Sequence, residues 1–235
     1  MSKKHAKYSP SSIYRVLACA GSVKLSEGLE QRTNPAAEEG TLAHELVELI
    51  LTKDLTLGKI PRKYPKDMIN HAADFVGEVA RQKKKGSDLL VETKVDLTFI
   101  HEELYGTADV SVVDLYDRLH VIDFKYGKGF VSEKNNPQLM TYLLGIAHLY
   151  SYDFADYEVS IYQPRYKGKP MRTYVTTKKE LKEFANLLDF GINLAESKNP
   201  PLNMGNHCHF CLAKDICPER DKVLKSNAKL DFDNE

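Results

Sequence analysis

No run of apolar residues in this sequence is long enough to cross a bilayer; the longest, such as Leu49–Leu51, fall far short of the ~20 that a spanning helix needs. The basic residues of the opening MSKKHAKYSPSS are followed by no apolar h-region, so no secretory signal is expected and a cytoplasmic protein is. Charge of one sign is not in excess, since 33 basic residues balance 33 acidic ones. That argues against the broad electrostatic footprint of an overall basic nucleic-acid binder, although acidic metal ligands can offset local basic patches. Two such patches are present, Arg165, Lys167, Lys169 and Arg172, and Lys125 with Lys128; for any single one of these residues solvated loop charge is the better explanation. A G-x-x-x-x-G-K-[ST] phosphate loop is missing, so the chain brings no motor of its own. Cysteines number only four, and in a cytosolic chain they are not read as disulfides. Neither an internal repeat nor a low-complexity linker is found.

What is there suits one substantial domain: 235 residues, 42% hydrophobic and 28% charged. Residues 1–10 read as a flexible arm, 11–220 as a single domain and 221–235 as a flexible tail. Ser11 or Ser12 can cap a short helix to about Ala20, and Leu42, Leu46, Leu49 and Ile50 give one apolar face to a helix over Ala36–Thr52. A second amphipathic helix follows Pro65 and ends in Lys83–Gly86. The period then becomes two: over Leu89–Leu97 the odd positions face one way while Glu92, Lys94 and Asp96 face the other. Thr107–Leu115 and Leu119–Tyr126 read as a hairpin about Tyr116–Asp117–Arg118. Asn136–Pro137 starts a helix through Leu139–Tyr150, strands follow at Tyr157–Gln163 and Arg172–Val175, and Thr177 with Glu180 forms a capping box for a helix to about Glu196. An α/β fold with a mixed central sheet flanked by helices fits this order, with a cysteine-rich segment, His207–Arg220, at the end.

The strongest chemical signal is Gly106-Thr-Ala-Asp109 followed by Asp123-Phe-Lys125. Positions two apart on a strand share a face, so Asp123 and Lys125 project together while Phe124 enters the apolar layer behind. A turn centred on Asp117 places Asp109 opposite Lys125 and diagonal to Asp123. Two carboxylates and an ammonium at one spot suit phosphodiester hydrolysis, because hard divalent ions take carboxylate oxygens and the substrate phosphate completes their shell. D-x-K alone is common and also fits an ordinary surface ion pair. Gln138 and Tyr142 share a helix face, as do His44 and Glu48. Each pair is either a local polar contact or, for Gln138 and Tyr142, a reach to DNA and, for His44, a side chain facing a metal.

Cys208-x-x-Cys211-x5-Cys217 offers three soft ligands, and Cys19 a fourth from the far end of the chain. Four thiolates hold either zinc or an iron–sulfur cluster, and His207 and His209 leave open a zinc site without Cys19.

Taken together, Ser9-Pro10-Ser11-Ser12…Cys19, Gly40-Thr-Leu-Ala-His44, Gly106-Thr-Ala-Asp109, Asp123-Phe-Lys125 and Gln138-x-x-x-Tyr142 resemble the RecB-like branch of the PD-(D/E)XK nucleases, over about residues 9–220. Blocks such as His120–Gly129 and Asn136–Met140 are similar to those of an uncharacterised phage and prophage group within it. The resemblance implies a restriction-endonuclease-like core and a Mg2+- or Mn2+-dependent deoxyribonuclease, an exonuclease of phage DNA recombination, replication or repair. It implies metal ligation by His44, Asp109, Asp123 and the Phe124 carbonyl, catalysis by Asp109, Asp123 and Lys125, and DNA contact by Gln138 and Tyr142. Glu92 stands where some relatives carry another acid, and Ala108 replaces the proline of the superfamily's name, as is common in this branch. The split of one cysteine and three is similar to that of AddB, which implies a 4Fe–4S cluster on Cys19, Cys208, Cys211 and Cys217, favoured over Zn2+. DNA with ends or single strands, a phage single-strand-binding or annealing protein, and further copies of the chain in a ring are the implied partners. The rival readings are a catalytically inactive DNA-end-binding or recombination-mediator protein and a structural metal-cluster protein.

Overall fold

Five strands form one mixed sheet in the order β1 (Asp88–Asp96), β2 (Tyr105–Asp114), β3 (Arg118–Phe124), β4 (Asp156–Tyr162) and β5 (Met171–Thr176). The computed structural model from which this is read describes residues 6–30, 34–53, 59–151 and 153–232, with side chains to residue 226. β1–β2, β2–β3 and β4–β5 are antiparallel and β3–β4 parallel. A parallel neighbour demands a crossover, which α5 (Pro137–Tyr150) supplies. The fold is thus the α/β class with a mixed central sheet that the sequence implies.

Helices cover both faces. On one, α5 packs with α1 (Ile13–Ala18) and α6 (Lys178–Glu196), joining Leu139, Leu143 and Ile146 to Val121, Ile161 and Leu188. On the other, α3 (Pro35–Lys53) and α4 (Lys66–Gln82) bury Leu46, Phe75 and Val79 against Val110, Ile122 and Phe124. Between α1 and α3 lies the short α2 (Gly21–Leu25), and α7 (Pro218–Phe232) ends the order. Local chemistry fixes the helix starts. The Asn136 side chain accepts from the Gln138 and Leu139 N–H groups, and Pro137 occupies the first turn, where its missing donor is harmless. Thr177 and Glu180 form the reciprocal capping box read from the sequence.

Several readings are corrected. Tyr8, in the supposed flexible arm, is fully buried: its N–H donates to the Glu103 carbonyl (3.2 Å) and its hydroxyl to Glu196 (2.5 Å). Of the 221–235 tail, residues 221–232 are helical, in α7, and 233–235 lie outside the described residues, as do 1–5 of the arm. The hairpin centres on Tyr116 rather than Asp117, since Tyr116 takes a left-handed φ of 62° and Asp114 pairs with Arg118. Continued one step past the last pair, Val110 with Ile122, that register brings Asp109 opposite Asp123, not Lys125. The even alternation expected of β1 also fails. Leu89 packs toward α3 and α4, whereas Leu90, Val95 and Leu97 pack toward α5. The chain turns over at Glu92, whose φ is 46°. Among the described residues no helix is long and apolar enough to cross a membrane.

Candidate active site

The reversal at Glu92 has a counterpart across the ladder. β1 and β2 pair Val91 with Val110 and Thr93 with Ala108, leaving Glu92 and Asp109 between them. Ala108 packs toward α5 and Val110 toward α3 and α4, so β2 rotates at Asp109 as β1 does at Glu92. Both carboxylates thereby turn toward His44 on α3. Ligand atoms of His44, Glu92 and Asp109 lie within 4.8 Å of one another, a group able to hold a metal ion. His44 Nδ1 is 3.5 Å from Asp109 Oδ1, and its ring stands edge-on to Phe124 at 5.5 Å. No ion pair joins His44 to Glu48 among the described residues, so the local alternative is not the one adopted.

Asp109 is held from the other side by the Phe124 N–H, which donates to Oδ2 at 2.8 Å. A carboxylate here takes a hydrogen bond from the backbone of the next strand and ties the middle of β2 to the end of β3. Burial pushes the Asp109 carboxyl up, but the His44 contact, the charges of His44 and Lys125 and this N–H hold it below the usual carboxylate range on balance. His44 is moved the opposite way: burial disfavours its cation, yet Asp109 keeps its pKa above the ordinary histidine value.

Asp123 is 1% exposed. Lys125 Nζ donates to its Oδ1 at 3.2 Å, and Gln138 Nε2 donates to the same oxygen at 3.2 Å. Oδ2 lies 2.9 Å from the ammonium but out of line for a hydrogen bond, so a buried carboxylate oxygen has no hydrogen-bond donor. Burial first, and the charge of Asp109 after it, push the Asp123 carboxyl up to about 6 against the pull of Lys125. Lys125, although burial opposes its charge, is kept above its ordinary value by Asp123 and Asp109. Gln138 completes the network: its Oε1 accepts from Lys125 Nζ at 3.0 Å and its Nε2 also donates to Tyr142 Oη at 3.0 Å. Tyr142 is buried, and burial with the two aspartates raises its phenol pKa so that it stays protonated.

The structure therefore gathers His44, Asp109, Asp123, Lys125, Gln138 and Tyr142 into one continuous set. Gln138 and Tyr142, expected on DNA, here hold Asp123, Lys125 and each other. Glu92 is closer to the centre than the sequence indicated; a left-handed residue inside a strand leaves no compositional trace.

The four cysteines also meet. Cys19, Cys208, Cys211 and Cys217 line one small cavity with Ser22 and Leu202. Cys19 is buried, burial raises its thiol pKa, and its sulfur accepts the Asn203 N–H at 3.3 Å. The backbone also joins the two ends: the Gly21 N–H donates to the Pro201 carbonyl at 2.8 Å, and a Cβ on Gly21 would lie 2.8 Å from the Pro200 carbonyl. His207 Nε2 is 2.9 Å from the Asn203 carbonyl, and His209 stands edge-on to Phe210.

Among known proteins, the family described as protein of unknown function, DUF2800, matches residues 5–235. A solved structure named as a candidate exonuclease of Eubacterium rectale is 9% identical, with a TM-score of 0.51 over 87% of this chain and 88% of that one. An alkaline exonuclease of Laribacter hongkongensis is 13% identical, with a TM-score of 0.45 over 96% of each. The first likeness is one of fold alone, and the second is too loose to add to it.

Proposed function

Within the DUF2800 family, to which the chain belongs, we propose that this protein is a divalent-metal-dependent deoxyribonuclease of the RecB-like PD-(D/E)XK type, acting from DNA ends in phage DNA recombination, replication or repair. The observation that carries the reading is the meeting of two sets of groups. His44, Glu92 and Asp109 offer hard donors at one point, and beside them Asp123 holds out a buried oxygen without a hydrogen bond. The Lys125 ammonium 2.9 Å away offsets the charge of that oxygen without hydrogen-bonding it, so its lone pairs are left for a hard divalent ion to take. The residues thus fit Mg2+ or Mn2+, held by Asp109, Asp123, His44 and the Phe124 carbonyl with Glu92 in reach. When bound, such an ion polarises a phosphate and lowers the pKa of a water.

The chain's own groups support hydrolysis around it. Lys125, held charged, is positioned to orient the attacking water and to offset charge developing on the phosphate. Gln138 fixes the Lys125 ammonium against Asp123, so a positioning role is supported beside the DNA contact proposed for it. Tyr142, kept protonated, backs the Gln138 amide. The Eubacterium rectale neighbour, named as a candidate exonuclease, agrees with action at ends.

For the cysteines the reading is a 4Fe–4S cluster rather than zinc. Cys19, Cys208, Cys211 and Cys217 line one small cavity, as a four-thiolate site of either kind requires, and the split of one cysteine and three, similar to that of AddB, favours the cluster.

The test is incubation with end-labelled linear and circular DNA, single- and double-stranded, with Mg2+, Mn2+ or chelator. Metal-dependent loss of linear DNA is expected, and its abolition by Asp123→Ala with DNA binding retained. Cutting that survives Asp123→Ala would refute the assignment, and cutting of circles would replace exonuclease by endonuclease. Anaerobic purification should give a brown protein; a colourless one with bound zinc would refute the cluster.

A further inference from the structure

Between β3 and α5 the chain leaves the site at Lys125 and re-enters it at Asn136, the cap of the helix that carries Gln138. Phe130 lies near the middle of this loop and is 59% exposed. The loop is nevertheless tied down on both sides of that ring. Gln163, wholly buried just past β4, donates from Nε2 to the Gly127 carbonyl (3.2 Å) and the Gly129 carbonyl (2.7 Å), and its Oε1 accepts the Val131 N–H (3.1 Å). Arg172 of β5 donates to the Val131 carbonyl at 2.8 Å and to Gln163 Oε1 at 2.7 Å. Its guanidinium lies 5.1 Å from the centre of the Phe130 ring and 4.8 Å from that of Tyr166.

A large aromatic ring held rigidly, backed by a cation and uncovered for more than half its surface suits a flat π partner. Around it Lys128, Lys167 and Lys169 are exposed. The acids nearby are already engaged, Glu39 with Arg165 (2.6 Å), Glu133 with Arg172 (3.2 Å) and Glu78, which Lys169 also faces, with Arg81 (2.6 Å). Exposed lysines around an aromatic face match the alternation of phosphate and base in a single strand. Five residues of chain reach at most ~17 Å, so Phe130 stands within a few nucleotides of Lys125.

We propose that Phe130 is a stacking platform for a base of single-stranded DNA, with the surrounding lysines on the adjoining phosphates. The choice of DNA rests on the nuclease reading, and the platform sets the strand's distance from Asp109 and Asp123. In a duplex the base faces are taken up by stacking, so the site selects unpaired strand.

The chain has no tryptophan, so Phe130→Trp introduces a single tryptophan that can be excited apart from the tyrosines. With the full chain in chelator, short oligothymidylate should quench its emission saturably, and the blunt duplex should not. Phe130→Ala should weaken oligothymidylate binding, read by anisotropy, by about tenfold or more, with the unfolding midpoint unchanged. Absence of quenching, wild-type affinity in Phe130→Ala, or tighter binding of duplex or of oligouridylate would each overturn the proposal. Cleavage with Mn2+ is scored separately. Cutting by a wild type whose Phe130→Ala variant binds normally removes this proposal alone. Quenching without cutting removes the nuclease reading alone, and neither binding nor cutting removes both.

Discussion

Glu92 is the position at which the architecture of the site can be tested most directly, by comparing Glu92→Gly with Glu92→Ala. Both variants lose the carboxylate, so the difference between them reports the backbone. In an ordinary strand glycine is the less stable of the two by roughly 0.5–1 kcal/mol. At a φ of 46° the Cβ of alanine carries the left-handed penalty of about 1–2 kcal/mol, so the order should reverse. Glu92→Gly is expected to exceed Glu92→Ala by about 1 kcal/mol in urea unfolding with chelator present. With a slope of about 2 kcal/mol per molar urea, the midpoints should differ by roughly 0.5 M. A second arm reads the side chain. Mn2+ at a hundred times its Kd should stabilise the wild type by about 2.7 kcal/mol, and both variants by less. If alanine proves equal to or more stable than glycine, the left-handed turn is not a feature of the folded chain. If both variants keep the whole Mn2+ response, Glu92 is no ligand and the strain serves something else.

His120 is buried against Ser160 (2.7 Å), and burial, aided by the Arg118 charge, pushes its pKa down to about 3. Because the folded value lies below the unfolded one of about 6.5, its contribution is whole above that pH and lost as pH falls toward 3; at pH 5 the loss is about 2 kcal/mol. Urea unfolding at pH 7 and pH 5 should show that slope in the wild type and not in His120→Asn. Gly145→Ala would bring a Cβ to 2.7 Å from that of Val95, so it should lower stability by about 1–3 kcal/mol in thermal unfolding despite alanine's better helix propensity, and Val95→Ala, which keeps the clashing Cβ, should not restore it.

The parts of the fold legible in the sequence are those set by neighbours in the chain. The caps at Asn136 and Thr177 need only the next few residues, and α5 and α6 begin where those residues say. Asp123 and Lys125 share a face by strand geometry alone, whatever the rest of the sheet does. The burial of Tyr8 leaves no local mark because its partners, Glu103 and Glu196, are 95 and 188 residues away. The hairpin centre moved by one residue because Tyr116, not a glycine or asparagine, takes the left-handed place; the sequence carries no mark of it.

The same reasoning explains why the site was only partly legible. Alternation assigns each strand residue to a face, and it holds along β3, where Leu119, Val121 and Asp123 face α5 while Ile122 and Phe124 face α3 and α4. It fails at Glu92 and Asp109 together, at facing positions of β1 and β2. A regular ladder there would leave these side chains obeying the faces of their neighbours. Rotation of both strands instead turns two carboxylates toward His44 and leaves the Phe124 N–H to be met by Asp109 rather than by a strand carbonyl. The irregularity and the donor set are therefore one feature. A sequence change that restored even alternation to β1 would be expected to stabilise the sheet and to disperse the metal ligands in the same step.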